Sequence, residues 1–436
     1  MVRAAALLPE VKSHYGDLKN YVGGGWRAAE ATEWLEDTNP ATGRVIARVP
    51  LSTKDDVDAA VQEALRGWDT WRRTPPSDRA RHFFALRDLM EQRFEDLSRV
   101  VVQDMGKTIE EARGEVRRAI ENVEVAAGIP SLMMGYNLTD GAGAGIDEEV
   151  SYEPLGVFAG ISPFNFPVMV QFWFWPYAVA TGNCWIAKPS EQDPAPMQLV
   201  MELVQKAGFP AGVVSLVHGA KDTVNAILDH PEIRGVSFVG SSAVARHVYS
   251  RAAAKGKRVQ AGGGAKNVLV VMPDAKLDKV VSNLVSSCYG CAGERCLAGS
   301  IVVGVGEVHA DLRRKFSHAA AALKVGYCLM SVAREEIFGP VASLFESEGL
   351  EEAVEMINRS PYGNAATIYT SSGKDAREFR SRVRAGNIGI NVGVAAPMAY
   401  FPFGGMKDSF FGDLHPQSRD AIRFFTDSKV AITRWP

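Results

Sequence analysis

The run CYGCAGERC brings three of the chain's five cysteines together, Cys288, Cys291 and Cys296, while Cys184 and Cys328 stand apart. As a metal site this run offers one C-x-x-C half, with no second half and no nearby histidine pair, so a metal is not indicated. Cys288 and Cys291 fall at the end of a helical pattern and read as small buried hydrophobes. Cys296 differs. It follows Glu294 and Arg295 in a glycine-bearing loop between a helix and a strand, and a cation beside a thiol favours the thiolate. A thiolate is the form that attacks carbonyl carbon. Composition alone leaves that role open.

Two further groups could serve such an attack. In SPFNFP, Ser162 to Pro167, a pair of prolines stiffens the loop around Asn165 where a strand ends. Its amide could donate to a developing oxyanion, or simply satisfy loop backbone. In AKPSE, Lys188 and Glu191 follow a second strand and could grip ribose hydroxyls; in FVGSS, Gly240 and Ser241 open a helix whose N-terminus could hold a phosphate. A helix cap is the plainer reading of Ser241, and no G-x-G-x-x-G fingerprint is present.

The elements that must position these groups follow from patterning. The chain has 436 residues, 46% hydrophobic and 23% charged, which suits a soluble globular protein too long for one core. Net charge is -3 and the basic residues are scattered, so no nucleic-acid surface is expected. Few, odd-numbered cysteines and no secretory pattern before Glu10 point to a reducing, cytoplasmic setting. The uncharged stretch Leu155 to Ala187 is broken by Pro163, Pro167 and Pro176, which makes it strand, loop, helix and strand rather than a membrane span. Helical spacing runs over 53–71 and onward to about Ala127. A Gly-rich alternating segment, Met133 to Glu153, predicts a projecting hairpin. Short apolar strands then alternate with helices: Val157 to Ile161, Cys184 to Ala187, Val213 to Val217, Val236 to Val239 and Asn267 to Val271. A second series takes in Ile301 to Val305, Val341 to Phe345, Ala366 to Tyr369 and Ile388 to Asn391. The expected fold is α/β, with two doubly wound domains.

GISPFNFP, AKPSE, SFVGS, CAGERC, EEIFGPV and FPFGG occur in the order typical of the aldehyde dehydrogenase superfamily, which the chain resembles along nearly its whole length. EARGEVRRAIENVE, KRVQAGGGAKN and GERC look like its methylmalonate or malonate semialdehyde dehydrogenase branch, whose members acylate CoA. The resemblance implies a Rossmann-like NAD-binding domain (1–129 and 152–258), a catalytic domain (259–419) and a small β oligomerisation element (130–151 and 420–436), joining a homodimer or homotetramer. It also implies roles. Cys296 attacks the aldehyde, and Asn165 stabilises the oxyanion. Lys188 and Glu191 bind the adenosine ribose of NAD, Gly240 and Ser241 meet the pyrophosphate, and Glu336 and Phe338 position the nicotinamide end. Arg118 and Arg295 match the branch's carboxylate-binding positions, a role suited to the guanidinium fork; the plainer reading of Arg118 is a solvated helix face pairing with Glu115 or Glu121.

Two departures shape the reading. Hydrolytic members carry a water-activating glutamate where this chain has Gly262, and no carboxylate occurs between Gln260 and Lys266. Without a positioned base water is a poor nucleophile, whereas the thiol of CoA exchanges readily with a thioester. The expected outcome is NAD-dependent oxidation of a carboxylated semialdehyde with transfer to CoA. A hydrolytic enzyme using Glu336 as base, or an inactive NAD-binding protein, are the rival readings. The second departure is a shortening: only Tyr327 to Ser331 separate AALKVG from VAREEIFGP. Family members carry several dozen more residues there, including parts of the catalytic domain.

Overall fold

The computed structural model describes residues 9–323 and 338–436. Every position of Val157–Ile161 and Cys184–Lys188 is buried, because strands covered on both faces must be apolar throughout. These two are the middle of an eight-stranded sheet. Its five interior strands run parallel, in the order Arg258–Gly262, Ile233–Val239, Val157–Ile161, Cys184–Lys188 and Val214–Leu216. Antiparallel edges are supplied by Phe410–Gly412 on one side and the hairpin Asn20–Val22/Gly25–Arg27 on the other. The chain runs outward from Val157–Ile161 and then returns to lay Ile233–Val239 on its other flank. That reversal opens a crevice at the carboxyl ends of these two strands, the usual ligand position in an open α/β sheet. The Asn165 loop leaves one strand there and Ser241 the other.

A second sheet has five parallel strands, in the order Ser343–Ser347, Gly299–Val305, Asn267–Val271, Ala365–Tyr369 and Asn387–Ile390. Alternation along Asn267–Val271 sends Val268 and Val270 into one apolar cluster and Leu269 and Val271 into another, each closed by its own pair of helices. The structure corrects the strand reading here. Asn267–Val271 belongs to this second sheet, and the strand that extends the first is Arg258–Gly262, whose glycines and flanking charges hid its pattern. The 258/259 boundary therefore falls at the start of a strand of the first sheet.

The hairpin forms as its alternation predicted, pairing Tyr136–Leu138 with Ile146–Pro154, and the C-terminal Thr426–Arg434 adds a third strand along the latter. Tyr136, Leu138, Val430 and Ile432 on this sheet are exposed. No helix among the described residues is long and apolar enough to cross a membrane.

Two helices begin with reciprocal caps. Thr53 accepts from the Asp56 amide ahead of Lys54–Trp71, and Thr108 accepts from the Glu111 amide ahead of Ile109–Ala127. The second matters for the site. Glu111, Glu115, Arg118 and Asn122 follow one another at helical spacing, so one stripe of Ile109–Ala127 is polar where the helix packs on the protein.

Candidate active site

Cys296 lies in the connection between the helix Leu277–Tyr289 and the strand Gly299–Val305. Two asparagines hold its backbone: Asn267 Nδ2 donates to the Cys296 carbonyl at 2.9 Å and Asn364 Nδ2 at 2.7 Å. Each asparagine stands at or just before the start of a strand of the second sheet, so that sheet fixes the main chain of Cys296. Its side chain is partly exposed and lines two cavities, one of about 490 Å³ and one of about 390 Å³. Cys184, Cys288 and Cys291 are buried, and burial raises the pKa of each, that of Cys288 to about 12. Held as thiols, they make poor nucleophiles. The expectation that Cys288 and Cys291 are core residues holds.

Asn165 reaches the same loop. Its Nδ2 donates to the Glu294 carbonyl at 2.8 Å, which orients the amide and leaves its second N–H for another acceptor. The Asn165 carbonyl accepts from Lys107 Nζ at 2.7 Å, and Lys107 pairs at 2.5 Å with Glu115, both side chains fully buried. The other Glu115 oxygen accepts from the amides of Val168 and Met169, and Lys107 sits 3.9 Å over the Phe166 ring. A buried ion pair thus pins the second half of the proline-rich loop, from Asn165 to Met169. Nothing local in the sequence marks Lys107, although the 111/115/118/122 stripe could have pointed to Glu115.

Arg118 and Arg295 line the larger cavity with Cys296, against apolar walls that include Trp173 and Phe403, stacked with centroids 4.3 Å apart. Both arginines have carboxylate partners: Arg118 pairs with Glu121 at 2.8 Å, and Arg295 with Glu111 at 2.9 Å. The pairing expected of a plain helix face is therefore present at Arg118, on a side chain that also faces the cavity. The smaller cavity opens beside the carboxyl ends of Ile233–Val239 and Arg258–Gly262, with Val239 and Gly262 in its wall. Among the described residues lining either cavity, none is Asp or Glu.

At the carboxyl end of Cys184–Lys188, buried Lys188 donates to Glu191 at 2.7 Å. Burial pulls the ammonium's pKa below its ordinary value, and Glu191 opposes that shift. Ser241 caps the helix Ser242–Ala253 by accepting from the Val244 amide at 3.5 Å, and the Gly240 amide donates to the Gly262 carbonyl. Phe338 has a left-handed backbone (φ 48°) and meets the Phe164 ring edge-on at 5.8 Å. Glu336 lies outside the described residues.

A cysteine-bearing loop clamped by one parallel sheet borders a cavity at the switch point of another, the arrangement of an α/β enzyme. The chain belongs to the aldehyde dehydrogenase family, whose model matches residues 26–329 and 328–431. Within that family it is 45% identical over 477 aligned residues to malonate-semialdehyde dehydrogenase 1 of Geobacillus kaustophilus, covering 96% of this chain and 98% of the relative. It is 41% identical over 477 to the malonate-semialdehyde dehydrogenase of Halalkalibacterium halodurans, at 96% and 98% coverage. Among solved structures it is similar to methylmalonate-semialdehyde dehydrogenase from Oceanimonas doudoroffii (TM-score 0.93, 36% identical, 97% of this chain and 99% of that one). A Sinorhizobium meliloti protein solved with NAD superposes with TM-score 0.94, at 37% identity and 97% and 98% coverage. The aligned positions outnumber the 436 residues of the chain, and the family match divides at 328–329, where the sequence is short.

Proposed function

We propose that this protein oxidises a carboxylated semialdehyde, malonate or methylmalonate semialdehyde, with NAD and delivers the acyl group to CoA. The observation that carries the reading is the larger cavity: a cysteine on its wall, two arginines beside it and no carboxylate among its described lining residues. The names of the relatives agree with it.

In this reading the Cys296 thiolate adds to the aldehyde carbon, and the Asn165 amide, with the Cys296 backbone N–H, stabilises the oxyanion. Arg118 and Arg295 hold the substrate carboxylate. NAD, when bound, supplies the hydride acceptor. The chemistry of the residues present fits it: Lys188 and Glu191, a donor and an acceptor at the end of Cys184–Lys188, would bind a ribose diol, Gly240 and Ser241 at a helix start would hold a pyrophosphate, and Glu191 disfavours a 2′-phosphate. Phe338, and Glu336 with it, would shape the nicotinamide end. Collapse of the oxyanion breaks the aldehyde C–H bond, the hydrogen leaving as hydride, and leaves a thioester on Cys296. The CoA thiolate attacks that carbonyl and the Cys296 sulfur leaves; loss of the substrate carboxylate as CO₂, with a proton taken from solvent at the carbon it leaves, gives acetyl- or propionyl-CoA.

We assign the eight-stranded sheet and its helices to nucleotide binding and the five-stranded sheet to catalysis, with the division after Gly262, and the three-stranded sheet to pairing of like subunits in the cytoplasm. Product analysis after turnover with each semialdehyde, NAD and CoA tests the function. Acyl-CoA and NADH in equal amounts are expected; steady NADH formation without CoA would overturn the transfer step.

A further inference from the structure

Arg295 does not stand alone at the cavity wall. Its guanidinium packs over Gly290, where a Cβ would come within 2.8 Å of both terminal nitrogens, and its Nη2 donates to Glu111 Oε1. The same Glu111 oxygen accepts the backbone N–H of Cys291, and the other oxygen accepts from the Thr108 amide and hydroxyl. A capping-box glutamate ordinarily reaches back to its own helix start. This one also reaches out to both ends of the turn that leads into Cys296. Within that turn Cys291 and Ala292 both adopt left-handed backbone, φ 52°, a conformation that persists in non-glycine residues only where the surroundings hold it. Burial pushes the Glu111 pKa upward, but the Cys291 and Thr108 donors and Arg295 bring it below the ordinary carboxylate value, so the group is an anion at neutral pH.

We propose that Glu111 is a positioning residue: it aims Arg295 at the substrate carboxylate and holds the nucleophile turn, coupling recognition of the substrate's charged end to placement of Cys296. The proposal rests on the reading of Arg295 as a substrate-carboxylate ligand. One guanidinium nitrogen is committed to Glu111, and Arg295 lines a cavity whose other described lining cation is Arg118. Glu111 and Arg295 are 184 residues apart in sequence, and the arrangement depends on the helix Ile109–Ala127 docking its first turn against the nucleophile loop.

Glu111→Gln removes the charge and one of the two acceptor oxygens; with its oxygen turned to the Cys291 amide it gives up the bond to the Thr108 amide, a loss for which Thr108→Ala is the control. It retains an acceptor for the Cys291 amide but loses the charge that orients Arg295. Steady-state kinetics with a semialdehyde acid and with an uncharged aldehyde of similar size should show KM for the acid rising about tenfold or more. KM for the uncharged aldehyde and kcat for both should stay within about threefold, with thermal unfolding lowered no more than in Thr108→Ala. Glu111→Ala should additionally lower kcat for both substrates, because the turn loses its clamp. Thr108→Ala, which removes the cap hydroxyl and leaves Arg295 paired, should spare the ratio. Equal losses on both substrates in Glu111→Gln, or a Thr108→Ala variant that reproduces them, would show that Glu111 is only a cap. Arg295→Leu is measured in parallel. If it fails to discriminate between the substrates, the carboxylate reading of Arg295 falls and this proposal with it; if it discriminates and Glu111→Gln does not, the positioning role alone falls.

Discussion

Gly262 and Cys296 line the same cavity of about 390 Å³, and a side chain at 262 would find a Val239 methyl, 3.4 Å away, as its nearest neighbour. The position that lacks a carboxylate thus admits a Cβ in ordinary contact and shares a cavity with Cys296. Gly262→Glu should convert part of the turnover to hydrolysis. With CoA omitted, NADH formation is expected to rise about 100-fold, the low end of what a positioned general base contributes. An unchanged CoA-free rate in a folded variant would mean that position 262 does not decide between water and thiol.

Asn165 is held at its carbonyl by Lys107 and at its side chain by the Glu294 carbonyl, the preorganisation that its proposed role as oxyanion donor requires. Asn165→Ala should lower kcat by about 10² to 10³, as loss of one oxyanion donor does elsewhere. Alkylation of Cys296 in the resting enzyme should proceed at the parental rate. A large change in alkylation with little change in kcat would point instead to a scaffold role for the amide.

Arg118 shares its charge with Glu121 yet borders the cavity. Arg118→Leu should raise KM for semialdehyde acids by roughly 10- to 100-fold, the equivalent of one charge-assisted hydrogen bond, and leave uncharged aldehydes near parental values. Parallel losses on both classes would remove Arg118 from the carboxylate site.

Asp37 is buried with no N–H donor on either carboxylate oxygen; it lies against Asp104, whose carboxyl can share a proton with it, and Asp193 is buried nearby. Burial pushes the Asp37 pKa up to about 6, above its unfolded value of about 4. The folded state therefore binds the proton more tightly. This contribution favours folding below about pH 4 and is lost as pH rises to about 6. Asp37→Asn should accordingly be more stable than the parent at pH 7, on the order of 1–2 kcal/mol, with the difference shrinking as pH falls toward 4. Denaturant unfolding at pH 4.5, 6 and 7.5 measures it, and an advantage that grows on acidification would contradict the assignment.

Much of this protein was legible in one dimension. Two-sided burial leaves strands without charge, so Val157–Ile161 and Cys184–Lys188 announced a parallel sheet, and a stiffened loop after one and a lysine–glutamate pair after the other marked where ligands gather. The absence of a carboxylate around Gly262 was likewise a fact of sequence. The strand Arg258–Gly262 escaped notice because glycine and charge mask its pattern, and Asn267–Val271 was read into the wrong sheet because an apolar run says that it is buried but not beside which neighbour. Only the tertiary structure decided how Cys296 is held. Asn267, Asn364, Asn165 and Glu111 converge on the loop that carries it from 29, 68, 129 and 184 residues away along the chain. Periodicity records which face of an element is covered, whereas a hydrogen bond between distant segments depends on how whole sheets and helices dock, and no local spacing encodes that.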